Sequence, residues 1–301
     1  SKGALVMKIL GFKKIDAFTK GSSSGNPAGY VLLDRMDSLS EGEMQKLASE
    51  LKGFVSEVGF ACREPGGFHL KYYSSECEVA FCGHATIAIM YDLISTDTEL
   101  LEEKELKIRV RAETLPVFNR LREEDAVYIT APEPGFLQRD ISRNEIAEAL
   151  GADVEAIKAE RAVRVIDGGL RTLIVPLASL MDCIELFPDQ EKLRRFSTEK
   201  DFDIVHVYTD EVSTKGTKYR TRVFAPKYGY LEDPATGSGN SAFGYYLIDE
   251  GMWEDDFSIE QGPSRNSPNI VRIRRLTGER ADRILFGGSA TTRIEGKYHL
   301  H

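Results

Sequence analysis

The chain has no C-x-x-C pair, and its four cysteines, Cys62, Cys77, Cys82 and Cys183, are too few to staple 301 residues. That excludes a disulfide framework and a cysteine-built zinc ribbon, and it suits a reducing compartment. Histidines at ligand spacing are missing too: of the five, His299 and His301 close the chain, and His69, His84 and His206 stand far apart. No metal ion is expected. No cluster of Lys or Arg stands out against a net charge of −9, which excludes a nucleic-acid footprint; Lys13-Lys14 and Arg274-Arg275 read as solvated faces. The longest apolar runs, Ala85 to Met90 and Thr172 to Ala178, fall short of the roughly 18 residues of a membrane span. No signal peptide is visible, since Ser1 to Val6 read as added residues ahead of a native start at Met7, and a cytoplasmic protein is expected.

What is present is an ordinary globular balance, 42% hydrophobic and 29% charged, in a chain long enough for one large domain or two modest ones. Ile9 to Phe18 reads as a strand, Gly25-Asn26-Pro27 as a turn and Gly29 to Leu33 as a second strand. Ser40 with Glu43 forms a capping box, which predicts a helix over 41–52 closed by Gly53. Strands follow at Phe54–Phe60 and Phe68–Tyr73. Ile87 to Ile94 is apolar nearly all round, the mark of a helix buried on every side. Later strands are predicted near 126–131, 161–166, 171–177, 203–209 and 217–225, with helices near 143–150 and 190–196. A second strongly apolar helix spans Ser241 to Asp249.

The two halves share a grammar. Lys71-x-Tyr73-x-Ser75 precedes Cys82, and Arg222-x-Phe224-x-Pro226 precedes Asp233, with the aromatic nine residues ahead in both. An internal duplication is expected, with Cys82 and Asp233 equivalent. Strands outnumber helices, and the two central helices are too apolar to be surface crossovers. The expected class is therefore α+β, in two pseudo-symmetric halves, each a curved, mostly antiparallel, barrel-like sheet around one buried helix. The first half covers 7–122, completed by a returning strand within 283–298, and the second covers 123–282.

If both central helices start at one cleft, their backbone N–H groups and dipoles make a carboxylate site there. Gly83, Gly237 and Gly239 would let a ligand approach the backbone, although the same glycines serve equally well for tight turns or close helix packing. Neither a P-loop nor a G-x-G-x-x-G pattern surrounds Gly237-Ser238-Gly239, so no nucleotide is expected.

Five motifs in order, Ile15-Asp16-Ala17-Phe18, Gly25-Asn26-Pro27-Ala28, Ser56-Glu57-x-x-Phe60, Cys82-Gly83-His84-Ala85-Thr86 and Asp233-Pro234-Ala235-Thr236-Gly237-Ser238, resemble those of the PhzF (phenazine-biosynthesis-like) family. Gln261-Gly262 and Gly287-Gly288 extend the match over nearly the whole chain. The resemblance implies a diaminopimelate-epimerase-like fold, a homodimer and no cofactor. It gives the acid/base role to Glu57, with His84 and Asp233 beside it and Asn26, Cys82, Gly83, Gly237, Ser238 and Gly239 around the substrate. Racemases of the wider superfamily use one cysteine from each half; here the expected pair is Cys82 and Asp233, which excludes a two-thiol mechanism. Two positions depart from the family pattern: Gly239-Asn240 stands where Ala-His is usual, and Ser75 where Pro is usual.

The residues themselves allow this assignment. Glu57 lies among Phe54-Val55 and Val58-Gly59-Phe60, where desolvation would raise a carboxylic acid toward neutrality and let it exchange protons. His84 could donate a hydrogen bond or carry a proton, Asp233 before Pro234 fits a helix-start cap, and Cys82 sits where a helix N-terminus favours a thiolate. Ser238 lacks the G-x-S-x-G elbow of a nucleophile and reads as a ligand hydrogen-bonder. The function expected is a cofactor-independent isomerase moving a proton on a small carboxylate. An α-carbon epimerase or racemase using Glu57 or Cys82 with Asp233, and a non-catalytic scaffold, are the alternatives.

Overall fold

In the computed structural model, residues 6–301 except Ala112 are described; residues 1–5 lie outside them. Contacts divide the chain into two units. The first holds the N-terminal segment up to Thr19, Gly25–Ile129 and Gly288–His301, and the second holds Lys20–Ser24 and Thr130–Gly287.

The first unit is built from β1 (Lys8–Ala17), β2 (Asn26–Leu33), α1 (Glu41–Glu50), β3 (Glu57–Glu64), β4 (Gly67–Ser74), β5 (Glu78–Val79) and α2 (Gly83–Ser95). It continues with α3 (Thr98–Glu102), β6 (Glu105–Val110), β7 (Glu113–Arg120), α4 (Leu121–Glu124), β8 (Ala126–Thr130) and the C-terminal strand Ala290–Leu300. The capping box at Ser40 forms as its residues predict, with Ser40 Oγ accepting from Glu43 N and Glu43 reaching back to Ser40 N. β1 runs antiparallel to both the C-terminal strand and β2. β2 is parallel to β3, β3 antiparallel to β4, and β4 antiparallel to β5 and parallel to β6. β6, β7 and β8 then form a meander.

The second unit repeats this pairing strand by strand. Its elements are β9 (Gly135–Leu137), α5 (Arg143–Leu150), β10 (Arg164–Asp167), β11 (Arg171–Pro176), α6 (Leu180–Ile184), α7 (Gln190–Lys200) and β12 (Ile204–Thr209). β13 (Tyr219–Phe224), β14 (Glu232–Asp233), α8 (Gly237–Asp249), β15 (Phe257–Gln261), β16 (Asn269–Leu276) and β17 (Arg283–Gly288) complete it. β10 is antiparallel to β9 and β11, β11 parallel to β12, and β12 antiparallel to β13. β13 is antiparallel to β14 and parallel to β15, and β15, β16 and β17 form the closing meander.

The register corrects the equivalence of Cys82 with Asp233. Tyr73 pairs with Glu78 and Phe224 with Glu232, so Asp233, opposite Val223, answers to Val79, opposite Tyr72. The residues preceding the two central helices are Cys82 and Thr236. The equal spacing of nine is a coincidence: the 3-10 turn Pro226–Tyr228 lies within a loop three residues longer in the second half. The boundaries differ as well. The first unit runs past 122 to Ile129 because β8 stays on the β7 ladder, and the expected return over 283–298 is divided, β17 pairing with β16 and the last strand with β1.

Each central helix is enclosed by its own sheet. α2 buries Ala85 to Met90 and Asp92 to Ile94, and α8 buries Gly237 and Gly239 to Leu247. Close approach needs missing side chains: a Cβ on Gly59 of β3 would lie 2.2 Å from Ile89 Cδ1, and one on Gly168 2.8 Å from Ala242 N. Two buried ion pairs stand out among the described residues. Lys13 holds Asp92 of α2 at 3.0 Å, while Arg220 and Glu260, both inaccessible to solvent, pair with each other and bind the backbone of Gly262, Ser264, Ser213 and Thr214.

His206 of β12 is wholly buried, its ring stacked on Phe243 of α8 with centroids 4.9 Å apart. Burial pushes its pKa down to about 4. The native state therefore keeps His206 neutral while the unfolded chain takes up a proton below about pH 6.5. Its stabilising contribution is complete above that pH and is lost as pH falls toward 4. From pH 7 to pH 5 the unfolding free energy should drop by about 2 kcal/mol on this account, and His206→Gln should remove most of that drop. Urea denaturation at the two pH values measures it, and an equal drop in the variant contradicts the assignment.

Candidate active site

In the first unit the site forms where β3 begins and α2 begins. Glu57 is the first residue of β3, in register with Ala28 on one side and Ser74 on the other. Pro27 lies one position before the β2–β3 ladder, so its carbonyl is available to side chains: it accepts from Ser56 Oγ at 3.3 Å and faces His84 Nε2 at 3.2 Å. Cys82, in an extended conformation, precedes α2 without capping it by its side chain; its carbonyl accepts from Thr86 N and Oγ1. The helix start, at Gly83 and His84, is thereby left partly open to solvent.

His84 joins these pieces. Its Nε2 lies 3.3 Å from Glu57 Oε2 and 3.2 Å from Ser56 Oγ, and its Nδ1 lies 3.4 Å from Cys82 Sγ. Nε2 faces a carbonyl and a carboxylate, both acceptors, so it carries the ring proton; Nδ1 offers its lone pair to the thiol. The Glu57 side chain is 21% exposed, yet its Oε2 is buried and has no hydrogen-bond partner, the approach to Nε2 being close but not aligned as a bond. Glu57 thus meets an imidazole, not the apolar surroundings expected from Phe54 to Phe60; Phe54 itself is exposed.

Ligand atoms of Glu57, Cys82 and His84 fall within 4.8 Å of one another, a cluster that could offer donors to a metal ion and that histidine spacing did not disclose. The thiol and the carboxylate approach opposite nitrogens of one ring. That arrangement suits passing a proton along the ring better than sharing one ion. Asn26 is buried at the head of β2, opposite Ala17.

In the second unit, Asp233 does not cap the helix as its place before Pro234 suggested. α8 starts at Gly237, after Thr236. The Thr236 hydroxyl donates to Asp233 Oδ2, and the Asp233 carbonyl accepts from Gln261 Nε2 at 3.0 Å. Gly237 and Gly239 serve packing: a Cβ on Gly237 would sit 2.6 Å from the Phe286 ring, and one on Gly239 3.3 Å from Ile204 Cδ1. Ser238, between them, is partly exposed. His206, Asn240 and Thr236, bound together behind Asp233, were given no role from sequence, Asn240 being marked there only as a departure from the family pattern; a buried polar side chain on an otherwise apolar strand or helix is the signal that marks them.

The sequence profile of the family described as "Phenazine biosynthesis-like protein" (PhzC-PhzF) matches residues 15–296. The chain belongs to this family. It is 34% identical over 274 residues to "Uncharacterized isomerase YfhB" of Bacillus subtilis (strain 168), covering 89% of this chain and 91% of that one. The crystal structure of the Bacillus anthracis phenazine biosynthesis protein, PhzF family, superposes with a TM-score of 0.85 at 25% identity, covering 97% of this chain and 99% of that one. A hydroxyproline epimerase from Agrobacterium vitis with bound trans-4-OH-L-proline shares the fold, with a TM-score of 0.62 at 12% identity over 99% and 93% of the two chains. The diaminopimelate-epimerase-like fold implied by the motifs is therefore the fold of this phenazine biosynthesis-like protein. No helix among its described residues is long and apolar enough to cross a membrane.

The Sγ–Nδ1 contact has a chemical consequence. Cys82, although buried, should be alkylated by iodoacetamide, whereas Cys183, whose thiol burial pushes up to about 12, should not react. His84→Asn should slow alkylation of Cys82 by about tenfold. Peptide mass spectrometry over time measures this, and an unchanged rate in the variant rules out thiol activation by His84.

Proposed function

We propose that this phenazine biosynthesis-like protein is an isomerase that moves a proton on a small carboxylate substrate, with Glu57 accepting and returning the proton. The observation that carries this reading is the buried Glu57 Oε2, held beside His84 without a hydrogen-bond partner of its own. A carboxylate oxygen left unsatisfied away from water is costly; taking a proton, or meeting a substrate C–H in its place, relieves that cost. His84 sits against the same oxygen and links it through the ring to Cys82, so a proton held by Glu57 has a neighbour able to stabilise either form. The substrate carboxylate is assigned to the helix N-terminus at Gly83 and His84, where backbone N–H groups and the helix dipole favour negative charge that builds as the proton leaves. Gly237 and Ser238 open α8 in the same way.

Relatives such as YfhB carry the name isomerase, which supports this reaction class, and the epimerase likeness speaks for the fold alone. Return of the proton to a different carbon is the favoured outcome, since this reading employs a single base, Glu57. The second reading is an epimerase or racemase acting at one carbon through Glu57 or Cys82 with Asp233; its Cys82 form is supported by the 3.4 Å approach of Sγ to Nδ1. A homodimer in the cytoplasm belongs to the same proposal, on the family resemblance and the composition.

Incubation with a panel of amino-acid and other small carboxylates in deuterated water tests the reading by mass spectrometry and NMR. Deuterium at a new carbon supports the proton-shifting isomerase, and wash-in at the original stereocentre supports the epimerase. Glu57→Gln, which keeps size and shape, should reduce exchange by about a hundredfold or more. Retention of more than a tenth of the rate removes Glu57 from the central role, and no exchange with any carboxylate favours a scaffold without activity.

A further inference from the structure

Behind Asp233 lies a chain of buried polar side chains whose orientations can be fixed one after another from the backbone. Gln261 Oε1 accepts from the backbone N–H of Thr236 at 3.0 Å, and Gln261 Nε2 donates to the backbone carbonyl of Asp233 at 3.0 Å. Those two partners can only donate and only accept, respectively, so the amide of Gln261 has one orientation. Its Nε2 then also donates to Thr236 Oγ1 at 3.1 Å. With that lone pair occupied, the Thr236 hydroxyl hydrogen turns to Asp233 Oδ2.

The same reasoning runs in the other direction. Gln261 Oε1 takes a second hydrogen bond from Asn240 Nδ2 at 2.7 Å, which fixes Asn240 with its oxygen facing Thr221 Oγ1 and His206 Nε2 at 3.2 and 2.9 Å. His206 therefore carries its proton on Nε2, and its Nδ1 is left buried with no partner. Every link donates toward Asp233: imidazole to Asn240, Asn240 to Gln261, Gln261 to Thr236, Thr236 to the carboxylate. Aligned donors of this kind polarise one another. The neighbouring acid, Glu232, takes no part, since its carboxylate is held by Arg222 at 2.8 and 2.9 Å.

We infer that His206, Asn240, Gln261 and Thr236 are positioning residues that present Asp233 as an ionised carboxylate with Oδ2 locked as an acceptor. Asp233 then receives a hydrogen-bond donor or cationic group and does not give up a proton from Oδ2. The inference rests on the reading of Asp233 as a site residue. It also gives Asn240 a role in this chain, as the link that joins buried His206 to the site.

The carbon-13 resonance of the Asp233 carboxyl tests it in protein labelled at aspartate, the signal being assigned by its loss in Asp233→Asn. The wild-type signal should titrate at least about one pH unit below an ordinary aspartate. Thr236→Val, which keeps the shape of the residue and removes the hydroxyl, should move the midpoint up by about one unit, and Thr236→Ser should restore it. A wild-type midpoint at or above the ordinary range overturns the inference with no variant involved. So does an unchanged midpoint in Thr236→Val with a native circular dichroism spectrum. The titration needs no substrate, so a failure of Glu57 in the exchange assay and a failure of this relay are read separately.

Discussion

Each unit is organised by a helix buried along most of its length. A buried helix must have sheet on every side, which is why strands outnumber helices and why the pairing order of the first half recurs in the second. It must also have room. Gly59 admits Ile89 of α2, and Gly168 and Gly237 admit Ala242 and Phe286 around α8; adding a methyl group at such positions overpacks the core. Polar groups carried inward have to find partners, so Asp92 is met by Lys13, and Asn240 by Gln261, Thr221 and His206. What is left at each helix start, where backbone donors accumulate, is the natural place for an anionic ligand.

The duplicated halves solve the problem of that helix start differently. The first keeps a cysteine there and sets His84 between its thiol and the Glu57 carboxylate. The second has Thr236 in the equivalent place, its hydroxyl turned onto Asp233, which comes from the short strand three residues earlier. A thiol pair is excluded, as the sequence already indicated, but the exchanged residue is cysteine for threonine. The carboxylate of Asp233 is an addition from a neighbouring position. Asymmetry at the chemical level thus sits on a scaffold whose pairing is nearly symmetric.

Much of the scaffold could be read in advance because it depends on local rules. The capping box at Ser40, Gly151 in the left-handed region at φ 67 closing α5, and the two apolar helices all stand where their residues indicate, while Ser142 caps α5 by accepting from Glu145 N. The meander strands β6, β7, β15 and β16 were not expected, although Leu106, Ile108 and Val110 alternate inward along β6. Properties set by pairing were out of reach. Counting residues matched Cys82 to Asp233, whereas the ladder matches it to Thr236. The surroundings of Glu57 come from β2 and α2 and not from its own flanks, so Phe54 and Phe60 could not announce them. The links from His206 to Asp233 span three strands and a helix start, and nothing in their spacing reveals them.

The central claim, that Glu57 handles the substrate proton beside His84, is tested most directly by a crystal structure with a bound, slowly exchanging carboxylate. The account predicts the ligand carboxylate at the N-terminus of α2 and a proton-bearing carbon within about 3.5 Å of Glu57 Oε2. A ligand bound at that helix start with its reacting carbon facing Cys82 instead, and Glu57 out of reach, would contradict it.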